Sequence, residues 1–499
     1  MRGPVDFGDV QGVVRYGYRH MTEACYFLLR IKDVAEARAW LLAAPITSAL
    51  EQKPPPAVAT QVAFTARGLE ALRVPDAVVA GFSNEFISGM SGDESRSRRL
   101  GDVGANAPSS WRWGAGAAVP HVLVMAFALP GGLEAQKAQL TDAVWDRAFE
   151  VMACLDTSDL EQHEPFGFLD GVSQPEPDWT LTRDAKGFQY AYSNIVALGE
   201  ILLGYRNEYR KYTDRPLVDG GGAAQGLYAA EDDPSKRDVG RNGTYVVLRD
   251  VYQDVRAFWQ FAAQQAPATG LAPEAFAAAM VGRTCDGSPL LPPQERSIPG
   301  AGTTPEEVRV NGFTYDGDPD GEQCPFGAHI RRANPRNADF PRKPPGFFAY
   351  VAALLGFGGR GFRDDVISAV RFHRVLRRGR EYGPGLTPVE ARAPAPPDDP
   401  ERGLRFITVN ANILRQFEFL QNAWMRNTKF DGMSGESDPL LGNRLPIPGC
   451  PATDAFTMPR AGGLRRSISG VPQFVTVRGG AYFFLPSLRA LRYLAEVGA

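Results

Sequence analysis

The residues of this 499-residue chain that could do chemistry are few: five histidines, five cysteines and some acids in apolar settings. The histidines are His20, His121, His163, His329 and His373. A lone histidine is more often a satisfied core or surface residue than a ligand, so context has to single one out. His329 stands in Cys324-Pro325-Phe326-Gly327-Ala328-His329-Ile330-Arg331-Arg332-Ala333-Asn334-Pro335-Arg336, with three arginines in the seven residues after it. A haem needs an axial base, and its two propionates favour nearby cations. One short segment could supply both, although alone it also reads as a basic helix start or a solvated loop.

Asp170 lies in Gly167-Phe168-Leu169-Asp170-Gly171, between Pro165-Phe166 and Val172-Ser173-Gln174-Pro175. An aspartate before glycine is commonly a turn residue. Its apolar neighbours would instead desolvate it, raise its pKa and suit it to proton transfer. Residues 371–383 read RFHRVLRRGREYG, a charge run that is usually a solvated face. Arg377 closes the apolar pattern Val370, Phe372, Val375, Leu376 and could project into a cleft.

Other patterns fail on inspection. Asp316-Gly317-Asp318-Pro319-Asp320-Gly321 opens like a calcium loop, but position twelve, which needs a bidentate Glu, is Gly327. Cys324-Pro325 lacks the rest of a haem-thiolate loop. Gly356, Gly358 and Gly361 spell Gly-x-Gly-x-x-Gly with Glu381 at roughly the ribose spacing, yet the arginine-rich run between them does not resemble a second strand. There is no P-loop, His-Glu-x-x-His or Gly-x-Ser-x-Gly.

The elements that must position these residues show an internal repeat. Residues 25–40 (CYFLLRIKDVAEARAW) and 244–259 (TYVVLRDVYQDVRAFW) align at an offset of 219, matching Tyr26 with Tyr245, Arg30 with Arg249 and Trp40 with Trp259. Each copy is a strand-like run, a polar break and an apolar pattern of helical period. A second strand-then-helix pair follows in each half: His121 to Leu129 with Leu133–Met152, and Gly403 to Val409 with Asn412–Met425. This predicts two α+β units of one kind, 1–220 and 221–499, joined within 205–243. Residues 391–402, rich in Pro and Asp, read as an irregular surface loop.

Composition narrows the function classes. The chain is 44% hydrophobic and 22% charged with a net charge of −3, which speaks against a nucleic-acid partner. Its apolar runs are too short to span a bilayer, and the first residues carry no signal pattern, so a cytoplasmic protein is expected. The odd cysteine count, without Cys-x-x-Cys, argues against a disulfide framework, a zinc ribbon and thioether-linked haem. Homo-oligomerisation remains open.

Taken together, these segments resemble the dye-decolourising peroxidase family, and the resemblance spans nearly the whole chain. Gly167, Asp170 and Gly171 match the family's Gly-x-x-Asp-Gly motif, and Ala328 to Arg336 match its proximal Ala-His-Ile-Arg-Lys/Arg…Asn-Pro-Arg segment. Arg377, Gly379, Tyr382 and Gly383 match its distal-arginine segment, with Arg378 or Arg374 as alternatives. Supporting matches are Asp9-Val10-Gln11-Gly12, the stretch Phe86 to Asp102, and Gly403-Leu404-Arg405-Phe406. Length and the N-terminus resemble the longer bacterial branch.

The resemblance implies two ferredoxin-like halves of the dimeric α+β barrel type. Each would be an antiparallel sheet with packed helices, and haem b would lie non-covalently between sheet and helices. It implies His329 as iron ligand and Asp438 as the carboxylate behind it. Arg336 would meet a propionate with Asn334 nearby, and Leu404 and Phe406 would line the distal pocket or simply pack in the core. Asp170 would move the proton of hydrogen peroxide, a task given to histidine in many peroxidases, and Arg377 would stabilise the developing negative charge. The reductant would be a bulky organic compound such as a dye or a phenol. Trp424 and Tyr382 are candidate surface aromatics for passing electrons to it. A haem carrier or iron-release protein, or a haem-free protein whose basic segment binds a partner, are the rival readings.

Overall fold

A computed structural model describes residues 5–182, 192–292, 294, 298–337, 347–355, 370–444, 453–459 and 464–498. Its centre is one nine-stranded antiparallel sheet. The first half of the chain supplies β1 (Glu23–Ile31), β2 (Val58–Phe64), β3 (Val122–Ala128) and β4 (Phe149–Asp156). The second supplies β5 (Thr244–Gln253), β6 (Leu376–Arg377), β7 (Arg380–Tyr382), β8 (Gly403–Asn410) and β9 (Val475–Leu485). The spatial order is β6-β8-β5-β9-β2-β3-β1-β4, with β7 also pairing to β8. Each half therefore follows the same order, and the two adjoin where Phe484 of β9 faces Phe64 of β2.

The internal repeat reappears as equivalent strand–helix pairs. β1 leads into α1 (Val34–Ala43), and β5 leads into α4 (Val255–Thr269). Asp33 and Asp254 cap these helices, accepting the Glu36 and Ala257 amides. The matched tryptophans do equivalent work. Trp40 donates its indole N–H to the Leu140 carbonyl at 3.2 Å, and Trp259 donates to the Phe166 carbonyl at 2.9 Å. The second bond fixes the segment that carries Asp170.

Two expectations need correction. The helix expected over Leu133–Met152 is α2 (Leu133–Leu140), then α3 (Ala143–Ala148), and from Phe149 the chain is already strand β4. The helix expected over Asn412–Met425 winds in wider turns, Leu414–Glu418 and Leu420–Met425, of the i→i+5 kind. The cysteines form no framework among the described residues, but one disulfide is present that the sequence reading did not foresee: Cys25 and Cys154, on neighbouring strands, are bonded. The Gly-rich stretch with Gly356, Gly358 and Gly361 lies outside the described residues. Within 205–243 a short ladder pairs Leu217–Val218 with Arg237–Asp238.

Of the odd-numbered residues of β5, Val247 packs in the cluster of Leu491 and Leu494 near the C-terminus, and Val251 in the cluster of α4 and α5 (Pro273–Val281). Val246 and Leu248 pack against the N-terminal segment and residues 196–205 on the other face. No helix of the described residues is long and apolar enough to cross a membrane.

Candidate active site

His329 opens the short helix α6 (His329–Ala333). Its Nδ1 lies 2.9 Å from Asp438 Oδ2. Asp438 is fully buried, and its other oxygen accepts the amides of Leu440 and Leu441 at 2.9 and 2.8 Å. A carboxylate in that position assigns the proton to Nδ1 and leaves Nε2 as a lone-pair donor. Burial would depress the imidazole pKa, but the Asp438 charge outweighs burial and holds it above the ordinary value.

The arginines after His329 brace this unit rather than face solvent. Buried Arg331 pairs with Asp318 at 2.8 Å, and Asp318 also accepts the amides of Gln323 and Cys324. That use occupies the apparent calcium loop. Arg332 donates to the carbonyls of Trp424, Asn427 and Glu436, which ties α6 to the segment carrying Asp438. Burial pushes the Cys324 thiol up to about 12, which does not suit a thiolate ligand.

Asp170 occupies a tightly specified loop. Gly167 and Gly171 have φ of +92° and +73°, and a Cβ on Gly171 would lie 1.3 Å from the Arg19 guanidinium. Glu164 accepts the amides of Phe166 and Phe168, and Gln253 donates to it at 2.8 Å. Arg377 Nη2 then donates to Asp170 Oδ1 at 3.1 Å. Of the three arginines considered for this place, Arg377 is the one whose guanidinium reaches Asp170. Arg378 donates to the carbonyls of Val13 and Val14, and Arg374 to the Tyr192 hydroxyl.

The raised pKa expected for Asp170 is not found. Burial does push it up, but Arg377, the Gly171 amide and Arg19 together outweigh burial and hold it below the ordinary carboxylate value.

Deep in the structure, His329, Arg377 and Asp170 keep 26%, 32% and 45% of their side-chain surface accessible. The charge of Arg377 opposes protonation of His329, so the Asp170–Arg377 pair and the His329–Asp438 pair share one electrostatic environment. Leu404 and Phe406 are half-buried on the face of β8 that also carries Thr408, opposite Arg377. Leu404 packs with the Phe258 cluster and Phe406 against the Phe417 cluster.

A cluster of cations borders the same region. Arg283, Arg336 and Arg374 are buried, and among the described residues no carboxylate pairs with any of them. Arg336 donates to the carbonyls of Asn311 and Phe313 and to Asn311 Oδ1, while its Nε has no partner. Arg283 also keeps one unpartnered nitrogen; burial and then Arg336 push it down to about 9. Asn334 and Arg374 both donate to Tyr192 Oη, at 3.0 and 2.9 Å. Buried positive charge with unmatched donors fits a group bearing two carboxylates, and His329 Nε2 fits a metal within it.

Sequence reasoning did not assign Glu164, Gln174, Arg283 or Tyr192. Gln174 was visible beside the Asp170 motif, but nothing in its type or spacing announced its partner. Trp424 is 7% exposed, against His373, Phe419 and Phe430, and Tyr382 lies 3.8 Å beneath the Arg405 guanidinium. Both are thus largely covered, not the surface aromatics expected.

No family model matches the chain. It is 28% identical over 515 residues to the dye-decolorizing peroxidase msp1 of Mycetinis scorodonius, covering 98% of this chain and 87% of that one. It is 31% identical over 346 residues to the multifunctional dye peroxidase DyP2 of an Amycolatopsis species, covering 66% of this chain and 61% of that one. Among solved structures, a decolorizing peroxidase from Auricularia auricula-judae superposes with a TM-score of 0.71 at 25% identity, covering 98% of this chain and all of that chain. A peroxidase of Anabaena shares the fold with a TM-score of 0.70 at 24% identity, covering 98% of this chain and 94% of the other. These relatives include both fungal and bacterial proteins.

Proposed function

We propose that the chain is a member of the dye-decolorizing peroxidase family, and that it binds haem b through His329, reduces hydrogen peroxide and oxidises bulky organic reductants such as dyes or phenols. The observation that carries the site assignment is the pairing of two units close enough for the charge of one to act on the other. His329 is backed by Asp438 on one side, and Asp170 is bonded to Arg377 on the other.

Haem, when bound, would supply the redox chemistry that couples reduction of peroxide to oxidation of the organic reductant. The residues supply the rest. His329 Nε2 holds the iron, and the bond from Nδ1 to Asp438 makes the imidazole a stronger donor. Arg336, with Asn334 nearby, meets a propionate through donors that the protein leaves partly unmatched. Asp170, ionised, takes the proton from one peroxide oxygen and returns it to the other, so that water leaves. Arg377 stabilises the negative charge on the departing oxygen. Leu404 and Phe406 limit access from the sheet side.

A haem carrier would need His329 but neither Asp170 nor Arg377, and their direct bond favours an enzyme over a carrier. The longer bacterial branch is not retained, since the relatives are chiefly fungal. Residence in the cytoplasm, expected from the N-terminus, is opposed by the Cys25–Cys154 bond, because disulfides persist chiefly in oxidising compartments.

The test is an absorption spectrum of the haem-supplemented protein before and after peroxide. A Soret band that shifts on peroxide addition is expected, with the band lost in His329→Ala and the shift slowed by orders of magnitude in Asp170→Asn. A protein without a Soret band would sink the reading. An unaltered rate in Asp170→Asn would remove the proton role.

A further inference from the structure

Arg377 lies on β6, the last strand of the sheet. The next residue, Arg378, sends its amide to the Ile407 carbonyl of β8 at 2.9 Å. Backbone groups alternate in direction along a strand, so the amide and carbonyl of Arg377 point away from β8, toward the open edge. Without a neighbour on that edge the Arg377 amide would be unpaired in a half-buried place, which costs stability and loosens the strand, while the carbonyl would keep only the bond from Arg378 Nη1 at 3.0 Å.

Gln174 fills that edge. Its Oε1 accepts the Arg377 amide at 3.0 Å, and its Nε2 donates to the Arg377 carbonyl at 3.3 Å. One side-chain carboxamide thus imitates a neighbouring strand for this one residue. Gln174 is four residues after Asp170 in the same loop. The loop is held a third time by Ser173, whose hydroxyl donates to Asn311 Oδ1 at 3.0 Å. The acid and the cation, 207 positions apart, are therefore joined twice: side chain to side chain by Asp170, and side chain to backbone by Gln174.

We propose that Gln174 is a positioning residue for the distal pair, setting where the Arg377 guanidinium stands relative to Asp170 and to whatever anion binds beside them. The inference rests on the haem reading above and deepens it. Only glutamine fits the role. Asparagine is a methylene shorter, glutamate offers no donor to the carbonyl, and leucine offers neither group.

The test uses the full-length ferric holoprotein and cyanide as probe, read by the shift of its Soret band. Cyanide enters as a neutral acid, gives up a proton and becomes an anion, so its affinity reports the acid–cation geometry without turnover. Gln174→Leu is expected to keep haem content and the resting spectrum, and to weaken cyanide binding about tenfold, equivalent to about 1.4 kcal/mol. In an Arg377→Leu background the same change should alter cyanide affinity by less than about twofold, because the residue it acts through is gone.

Unchanged affinity in Gln174→Leu, or a full tenfold loss in the Arg377→Leu background, overturns the proposal. Should Gln174→Leu fail to load haem, Gln174→Glu gives the reading instead. It keeps the acceptor for the amide but sets a carboxylate against the carbonyl, and a loss of about threefold is expected, with no loss overturning the proposal. A wild-type protein that shows no Soret band defeats the haem reading and this inference together. A normal wild type with an unaltered variant defeats the inference alone.

Discussion

Asp438 Oδ2 sits 2.9 Å from Nδ1 of His329, although 109 positions separate them along the chain. The contact is held from both sides. Arg332 grips three carbonyls of the 424–436 segment, and the Asp438 amide bonds to the Met425 carbonyl at 2.7 Å. An acid so fixed governs the orientation, tautomer and donor strength of the imidazole.

Asp438→Asn tests that control. The amide retains an oxygen for the Leu440 and Leu441 amides but no longer brings negative charge to Nδ1. Haem content should hold while the reaction with peroxide slows about 10–100-fold. Stopped-flow absorbance after peroxide mixing measures it, and a wild-type rate would show the carboxylate to be idle.

Asp170 and Arg377 make a prediction about pH. Burial raises the Asp170 pKa, but Arg377, the Gly171 amide and Arg19 prevail, so the carboxyl ionises below its ordinary value of about 3.9. The base form needed for peroxide deprotonation should persist into acid, and the rate should fall only below about pH 4. Arg377→Leu removes the chief opposing charge and leaves burial dominant, so the acid limb should move to higher pH. An acid limb at the same pH in wild type and variant would refute the coupling.

How much of this was legible in the sequence depends on the range of the interaction. The strand–helix repeat is local patterning at a fixed offset, and it appears as the same strand order in both halves. The segments around Asp170, His329 and Arg377 are short and distinctive. Their partners are not: Gln174 meets Arg377 across 203 positions, and Cys25 meets Cys154 across 129. Such pairings follow from the register of strands that are far apart in the chain, which no short window encodes. The direction of the Asp170 shift was missed for a related reason. Apolar neighbours in sequence announce burial, but the three charges and dipoles that outweigh it come from other segments and from the turn itself.

Glu164 should make stability pH-dependent. Burial pushes its carboxyl up to about 7, against the bonds from Gln253, Phe166 and Phe168 that favour ionisation, and Asp170 adds to the rise. The folded state then holds this proton more tightly than the unfolded chain. The stabilisation is full below the ordinary carboxylate value and is lost as pH rises through about 7. Glu200 is pushed to about 7 as well, so Glu164→Gln should flatten only part of the change. Thermal melts at pH 5 and pH 8 would show it, and an equal decline in wild type and variant would rule Glu164 out as a source.

The Cys25–Cys154 bond gives the last prediction. Cys25 is buried on β1, and Cys154 is exposed on β4. Cys25 faces Asp156 and Phe27 faces Cys154 in the register, so the two cysteines are diagonal neighbours with Cα atoms 6.4 Å apart. β4 is the last strand at its end of the sheet, bonded on one side only, and the bond fastens it to β1. The link closes a loop of 129 residues, and restricting the unfolded chain over such a length stabilises the fold by about 2–4 kcal/mol. Cys154→Ser should therefore lower the denaturation midpoint of the oxidised protein, and reductant should lower the wild type to match while leaving the variant unmoved. Mass spectrometry of a non-reduced digest should recover the two cysteines in one linked peptide. Wild-type and variant proteins that unfold together without reductant would show that the thiols stay free.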